Sequence, residues 1–96
     1  MKILANDGIS AAGQQALENA GYTVITAKVA QDDIPNYLNT EGVEILLVRS
    51  ATTARAALID ACPNLKLIGR GGVGMDNIDV SYAREKGITV INTPAS

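Results

Sequence analysis

The chain has 96 residues, 47% of them apolar and 19% charged, with a formal net charge of −2. This describes one small globular domain, too apolar for disorder and without the broad positive field that nucleic acid or an anionic membrane surface would need. There is no histidine, and Cys62 is the single cysteine. Ser-His and Cys-His catalysis, imidazole metal sites and an internal disulfide are therefore excluded within this chain. A lone cysteine suits a reducing cytoplasm. The start, MKILAND, has no long apolar signal region, and no run approaches a membrane span.

In chain order, Lys2 to Ala5 reads as a short strand ending in the turn signal Asn6-Asp7-Gly8. Ser10 is a good N-cap for a helix to about Ala20, with Ala12, Ala16, Leu17 and Ala20 as its apolar face and Gly21 ending it. Tyr22 to Ala27 alternates loosely, as an edge strand does. Gln31-Asp32-Asp33 before Pro35 is an acidic first turn, and the helix it opens buries Tyr37 and Leu38 before Gly42. Val43 to Val48 contains the aliphatic run Ile45-Leu46-Leu47-Val48, the mark of a central parallel strand covered on both faces. Thr52 or Thr53 is placed to cap a helix through Ala57, Leu58 and Ala61, broken by Pro63, with Cys62 a small buried apolar residue at its end. Leu65 to Gly69 reads as the next strand. Asp79 then caps a helix through Val80, Ala83 and Lys86, and Ile88 to Asn92 is the last strand.

Five strands alternating with four helices specify a parallel α/β fold with right-handed crossovers, and the flavodoxin-like order 2-1-3-4-5 is the common solution for five strands. The result is three layers with one sheet face under-covered. In that order only the first helix lies on one face, so the third to fifth strands should leave apolar surface there. A further helix from beyond Ser96 or a second copy of the chain, making a homodimer, would fill it.

The densest chemical signal is Leu65 to Asp79, LKLIGRGGVGMDNID, in which Gly69, Gly71, Gly72 and Gly74 fall within six positions. Such a loop can turn successive amides into one concavity, and Arg70 adds a planar fork suited to carboxylate or phosphate. Ligands of open parallel sheets bind beyond the carboxyl ends of the strands. Reading those ends gives Asn6-Asp7, Arg49-Ser50, Arg70 with the glycines, and Asn92-Thr93. Two arginines from neighbouring central strands then face a small, doubly anionic ligand. The bland alternatives are ion pairs, Arg70 with Asp76 and Arg49 with Asp7 or Asp76.

Gly69 to Gly74 also spells GxGxxG, the dinucleotide fingerprint. Two features argue against it. Asp76 and Asp79 occupy the ground where the pyrophosphate would meet a helix start. The next strand ends Val90-Ile91-Asn92-Thr93, without the acidic residue about 20 positions on that holds the ribose.

Three segments carry a family resemblance: LLVRSATT at 46–53, LIGRGGVGMDNIDV at 67–80 and GITVINTP at 87–94. Over essentially its whole length the chain resembles the N-terminal substrate-binding domain of NAD-dependent D-2-hydroxyacid dehydrogenases, most closely the D-3-phosphoglycerate dehydrogenases. The resemblance implies that residues 1–92 are the substrate-binding domain and that 93–96 begin a linker to a Rossmann domain, which takes the NAD and supplies the catalytic residues. It also implies a later helical segment that returns to cover this domain. This stretch alone would bind no cofactor or metal, contain no catalytic residue and be inactive. By the same resemblance, Arg49 and Arg70 line the pocket for the anionic groups of a 3-phosphoglycerate-like substrate. Gly72, Val73 and Gly74 present amides to its carboxylate, with Ser50 and Asn92 nearby.

Other readings on this fold fare unequally. A phosphoreceiver domain needs an aspartate at the end of the third strand, where Arg49 stands. A flavodoxin needs a Ser/Thr-rich phosphate loop after the first strand, for which Asp7-Gly8-Ile9 is a poor substitute. Another D-2-hydroxyacid dehydrogenase, such as a glyoxylate or hydroxypyruvate reductase, and a non-catalytic dimerisation module both stay open.

Overall fold

A computed structural model describes residues 1–49, 51–71 and 77–93. The strands are β1 (Lys2–Ala5), β2 (Thr23–Ile25), β3 (Val43–Val48), β4 (Leu67–Gly71) and β5 (Thr89–Thr93), and the helices are α1 (Ala11–Asn19), α2 (Ile34–Glu41), α3 (Ala56–Ala61) and α4 (Val80–Glu85). All pairings are parallel and the sheet order is β2-β1-β3-β4-β5. The edge position of β2 and the central position of β3 follow the hydrophobic pattern of each.

Local signals set most boundaries. Ser10 caps α1, its Oγ accepting from the Gly13 amide at 3.1 Å. Gln31–Asp33 form a 3-10 turn leading into α2, with Pro35 in the first helical turn, where no amide proton is needed. α2 ends on Gly42 at φ 67°, a left-handed cap that a residue without Cβ takes at least cost.

The core lies on the face covered by α2, α3 and α4. Leu4, Leu46, Val48, Ile68 and Val90 of the sheet pack there against Ile34, Leu38, Leu58, Ile59 and Ala83 of the helices. Leu46 and Ile68 are wholly buried, each contributing about 1.5–3 kcal/mol over leaving it in water. Cys62 is buried at the end of α3, as a small apolar residue would be.

Among the described residues the opposite face is covered by α1 alone, and no residue of α1 is buried. Between that helix and the sheet runs an open groove of about 870 Å³, floored by Ile3, Ile45, Leu47, Leu67 and Ile91 and walled by Ala12, Ala16 and Leu17. This is the under-covered face that the strand order implies.

Several expectations need correction. β4 starts and ends two residues later than the pattern suggests, because Arg70 and Gly71 pair with Asn92 and Thr93 of β5. Gly71 is thus a strand residue as well, and Gly69, the expected last residue of the strand, lies inside it, where a Cβ would lie 2.8 Å from Leu47 Cδ2. Neither Thr52 nor Thr53 caps α3. The helix starts at Ala56, whose amide is capped at 2.8 Å by Asp79 from across the chain. Asp79 stands at the head of α4 but makes no capping bond to it, its carboxylate being engaged by Ala56 and Arg55. β2 is also shorter than Tyr22 to Ala27, and β5 runs from Thr89 through Thr93.

Candidate functional site

The parallel register brings the carboxyl ends of the strands to one rim. Val48 lies opposite Arg70, and Arg70 opposite Asn92. Arg49 follows Val48 directly, so the two arginines stand on adjacent strands, about 5 Å apart in the pairing direction and one residue out of step. Arg49 is exposed and lines the open groove, together with Gly71 and Asn92. Side chains alternate along a strand, so Arg70 leaves β4 on the face of buried Ile68 while Arg49 leaves on the face of Leu47. The pair therefore flanks the end of the sheet from its two faces. Ser50, Gly72, Val73, Gly74 and Asp76 lie outside the described residues.

A polar network behind Arg49 builds the rim. Asn6 is 3% exposed. Its Oδ1 accepts from the Val29 amide at 2.7 Å, while Nδ2 donates to the Val29 carbonyl at 3.0 Å and to Thr52 Oγ1 at 2.9 Å. Asp7, next along, accepts from the Arg49 amide at 2.7 Å, the Thr52 amide at 2.9 Å, the Thr52 hydroxyl at 2.6 Å and Lys28 Nζ at 2.8 Å. Burial would raise the Asp7 pKa, but the bonds from Lys28, Thr52 and the Arg49 amide outweigh it and bring it from 3.8 to about 2. The carboxylate is thus ionised and fully engaged. It forms an ion pair with Lys28, and it accepts a hydrogen bond from the Arg49 backbone amide.

Asn77 closes the site from the other side. Its Nδ2 donates to the carbonyls of Arg49 and Thr52, each at 2.6 Å. Ala54 and Ile78 form a parallel bridge beside it, joined by hydrogen bonds from the Ala54 amide to Asn77 and from the Asp79 amide to Ala54. The loop after β3 and the segment leaving the glycine stretch are therefore one structural unit. The sequence pattern places Asn6 and Asp7 at a strand end but gives no such role to Thr52 or Asn77. Two polar residues directly after a buried strand are the available signal.

Of the GxGxxG motif, Gly69, Arg70 and Gly71 are described, and all three lie in β4. Gly69 and Gly71 pair with Ile91 and Thr93 of β5, and the space a Cβ of Gly69 would need is taken by Leu47. The described rim carries Arg49, Arg70 and Asn92 beside the ion pair of Asp7 with Lys28. Among the described residues no group of acidic, cysteine or histidine side chains could hold a metal ion, and no helix is long and apolar enough to cross a membrane.

Residues 3–96 match the model of the D-isomer specific 2-hydroxyacid dehydrogenase catalytic domain. The chain is 41% identical over 95 residues to a hydroxypyruvate reductase of Thermotoga maritima, covering 99% of the chain and 31% of that protein. It is 36% identical over 94 residues to a D-3-phosphoglycerate dehydrogenase of Methanocaldococcus jannaschii, covering 98% of the chain and 18% of that protein. The crystal structure of 3-phosphoglycerate dehydrogenase from Entamoeba histolytica with NAD+ bound superposes with a TM-score of 0.80 at 27% identity, over 98% of this chain and 33% of that one. The chain thus spans a third or less of the length of these relatives. With the fold, the strand order and a family model matching nearly every residue, the chain belongs to the D-isomer-specific 2-hydroxyacid dehydrogenase family.

Proposed function

We propose that this chain is the substrate-binding domain of an NAD-dependent D-3-phosphoglycerate dehydrogenase, the oxidation that opens serine synthesis in the cytoplasm. The observation that carries the reading is the register Val48–Arg70–Asn92, which brings Arg49 and Arg70 to the ends of adjacent strands at the carboxyl rim. Guanidinium groups bind carboxylate and phosphate through paired, charge-assisted hydrogen bonds. In this reading Arg49 and Arg70 hold the two anionic ends of the acid from the two faces of the sheet. Amides of Gly72, Val73 and Gly74 receive its carboxylate, with Ser50 and Asn92 alongside. The chain's task is then to bind and orient, leaving hydride and proton transfer to a partner domain of Rossmann type that carries NAD. Holding the reacting carbon in place is a large part of catalysis in such a division of labour.

A second reading, a hydroxypyruvate or glyoxylate reductase, is favoured by the 41% identity to the Thermotoga enzyme. It uses the same rim for a smaller anion. A further reading, a non-catalytic module that dimerises through the groove, draws on the apolar floor described above.

Amide-resolved NMR titration of the chain with D-3-phosphoglycerate, hydroxypyruvate and inorganic sulfate separates these. The proposal expects shifts at Arg49, Arg70, Gly71 and Asn92 that are larger for phosphoglycerate than for the other two. Binding will be weak, since a domain that supplies one wall of a cleft forgoes the contacts of the other. Stronger response to hydroxypyruvate selects the second reading. No response at the rim to any acid, with concentration-dependent broadening across the groove, selects the third.

A further inference from the structure

We propose that Asp7 and Asn77 are positioning residues that clamp the main chain at Arg49 and at Thr52 from opposite sides, fixing the backbone from which the Arg49 side chain projects. This rests on the reading of the rim as an acid-binding site. The observation is a complementary pair of grips. Asp7 takes the amides of Arg49 and Thr52, and Asn77 gives its amide hydrogens to the carbonyls of the same two residues. The amide and the carbonyl of Arg49, and those of Thr52, are thus each met by a side chain from elsewhere in the fold, Asp7 from the end of β1 and Asn77 from the segment that enters α4.

Each grip is itself anchored. The Asp7 side chain is 4% exposed and bonded to the Thr52 hydroxyl, which in turn accepts from buried Asn6. Asn77 is seated by the bridge between Ala54 and Ile78. Such an arrangement matters for binding because a long arginine on a loose loop loses entropy when it grips a ligand, while one on a fixed backbone has lost much of it already. It matters electrostatically as well. A carboxylate beside an anion site would repel the ligand, and the Lys28 ion pair at 2.8 Å offsets that charge.

The test uses the chain with Asp7→Asn and Asn77→Ala, each alone and each combined with Arg49→Ala. Two quantities are read: hydrogen exchange at the Arg49 and Thr52 amides, corrected for any change in global stability, and affinity for D-3-phosphoglycerate. The clamp predicts exchange at both amides faster by on the order of 10-fold in each variant and an affinity for the acid lower by a similar factor. In the Arg49→Ala background neither substitution weakens binding further, since the group being positioned is gone. A role in stability alone leaves the affinity of the folded fraction unchanged and overturns the proposal, as does equal loss of affinity with and without Arg49. Asn77→Ala keeps the test open where Asp7→Asn does not fold. Should the unsubstituted chain take no acid at all, the proposed function falls, and the exchange rates alone uphold or overturn the clamp.

Discussion

Replacing Asp7 by asparagine tests the polar network through its dependence on pH. The folded carboxyl titrates at about 2 against 3.8 in the unfolded chain, burial being outweighed by the bonds from Lys28, Thr52 and the Arg49 amide. A depressed carboxylate pKa stabilises the fold above the unfolded value, and that stabilisation is lost as pH falls through the folded one. The window is therefore from about pH 5 down to about pH 2. A shift of this size corresponds to about 2 kcal/mol, and solvent at the rim reduces it to on the order of 1–2 kcal/mol. The substituted side chain would hold neither the charge nor all four bonds, so the D7N chain should be less stable at pH 6 by about 2–3 kcal/mol. Urea denaturation followed by circular dichroism at intervals from pH 6 to pH 2 measures both chains under one set of conditions. The gap between them should narrow by about 1–2 kcal/mol on acidification, because only the wild-type chain loses the Asp7 contribution. Other carboxylates, including Glu44, whose pKa is lowered by Lys66, are common to both chains and cancel. A gap that stays constant across the window would refute the assignment of Asp7 as the ionised hub.

Two further outcomes follow from packing. Gly69→Ala places a methyl group 2.8 Å from Leu47 Cδ2 and should destabilise by about 1 kcal/mol; adding Leu47→Ala should recover part of that loss, and simple additivity in a thermal melt would contradict the contact. Cys62, 2% exposed with its thiol pKa raised by burial, should react with a thiol reagent at pH 8 only as the chain opens. Immediate stoichiometric labelling of the folded chain would contradict that burial.

The sheet order was legible from the aliphatic run Ile45 to Val48 and the looser pattern of Tyr22 to Ala27, since burial on two faces and at an edge leave different residue choices. The open groove was legible too, because strand order alone dictates which face each crossover helix covers. The ends of β4 were not. Arg70 and Gly71 read as the start of a glycine-rich loop, but pairing with Asn92 and Thr93 of β5 overrides that propensity. The start of α3 was hidden for a related reason. Thr52 and Asp79 both have the chemistry of local caps, and both spend it on partners distant in sequence, Asp7 for one and Ala56 for the other. At the site, the arginines were visible because strand ends can be read from periodicity. Their backbone supports were not, since a hydrogen bond between residues 49 and 77 leaves no trace in local pattern.

The central claim is that two guanidinium groups at one rim of the sheet grip a small dianion. The most direct measurement is the affinity of the chain for D-3-phosphoglycerate with and without Arg49→Ala and Arg70→Ala, using the amide shifts of folded protein. Each charge-assisted contact contributes about 1.5–3 kcal/mol, so removing both should weaken binding by about 100-fold or more, to below detection. Affinity is compared on the folded fraction of each variant, since Arg70 is a half-buried residue of β4. Unchanged affinity in the folded double variant would contradict the account.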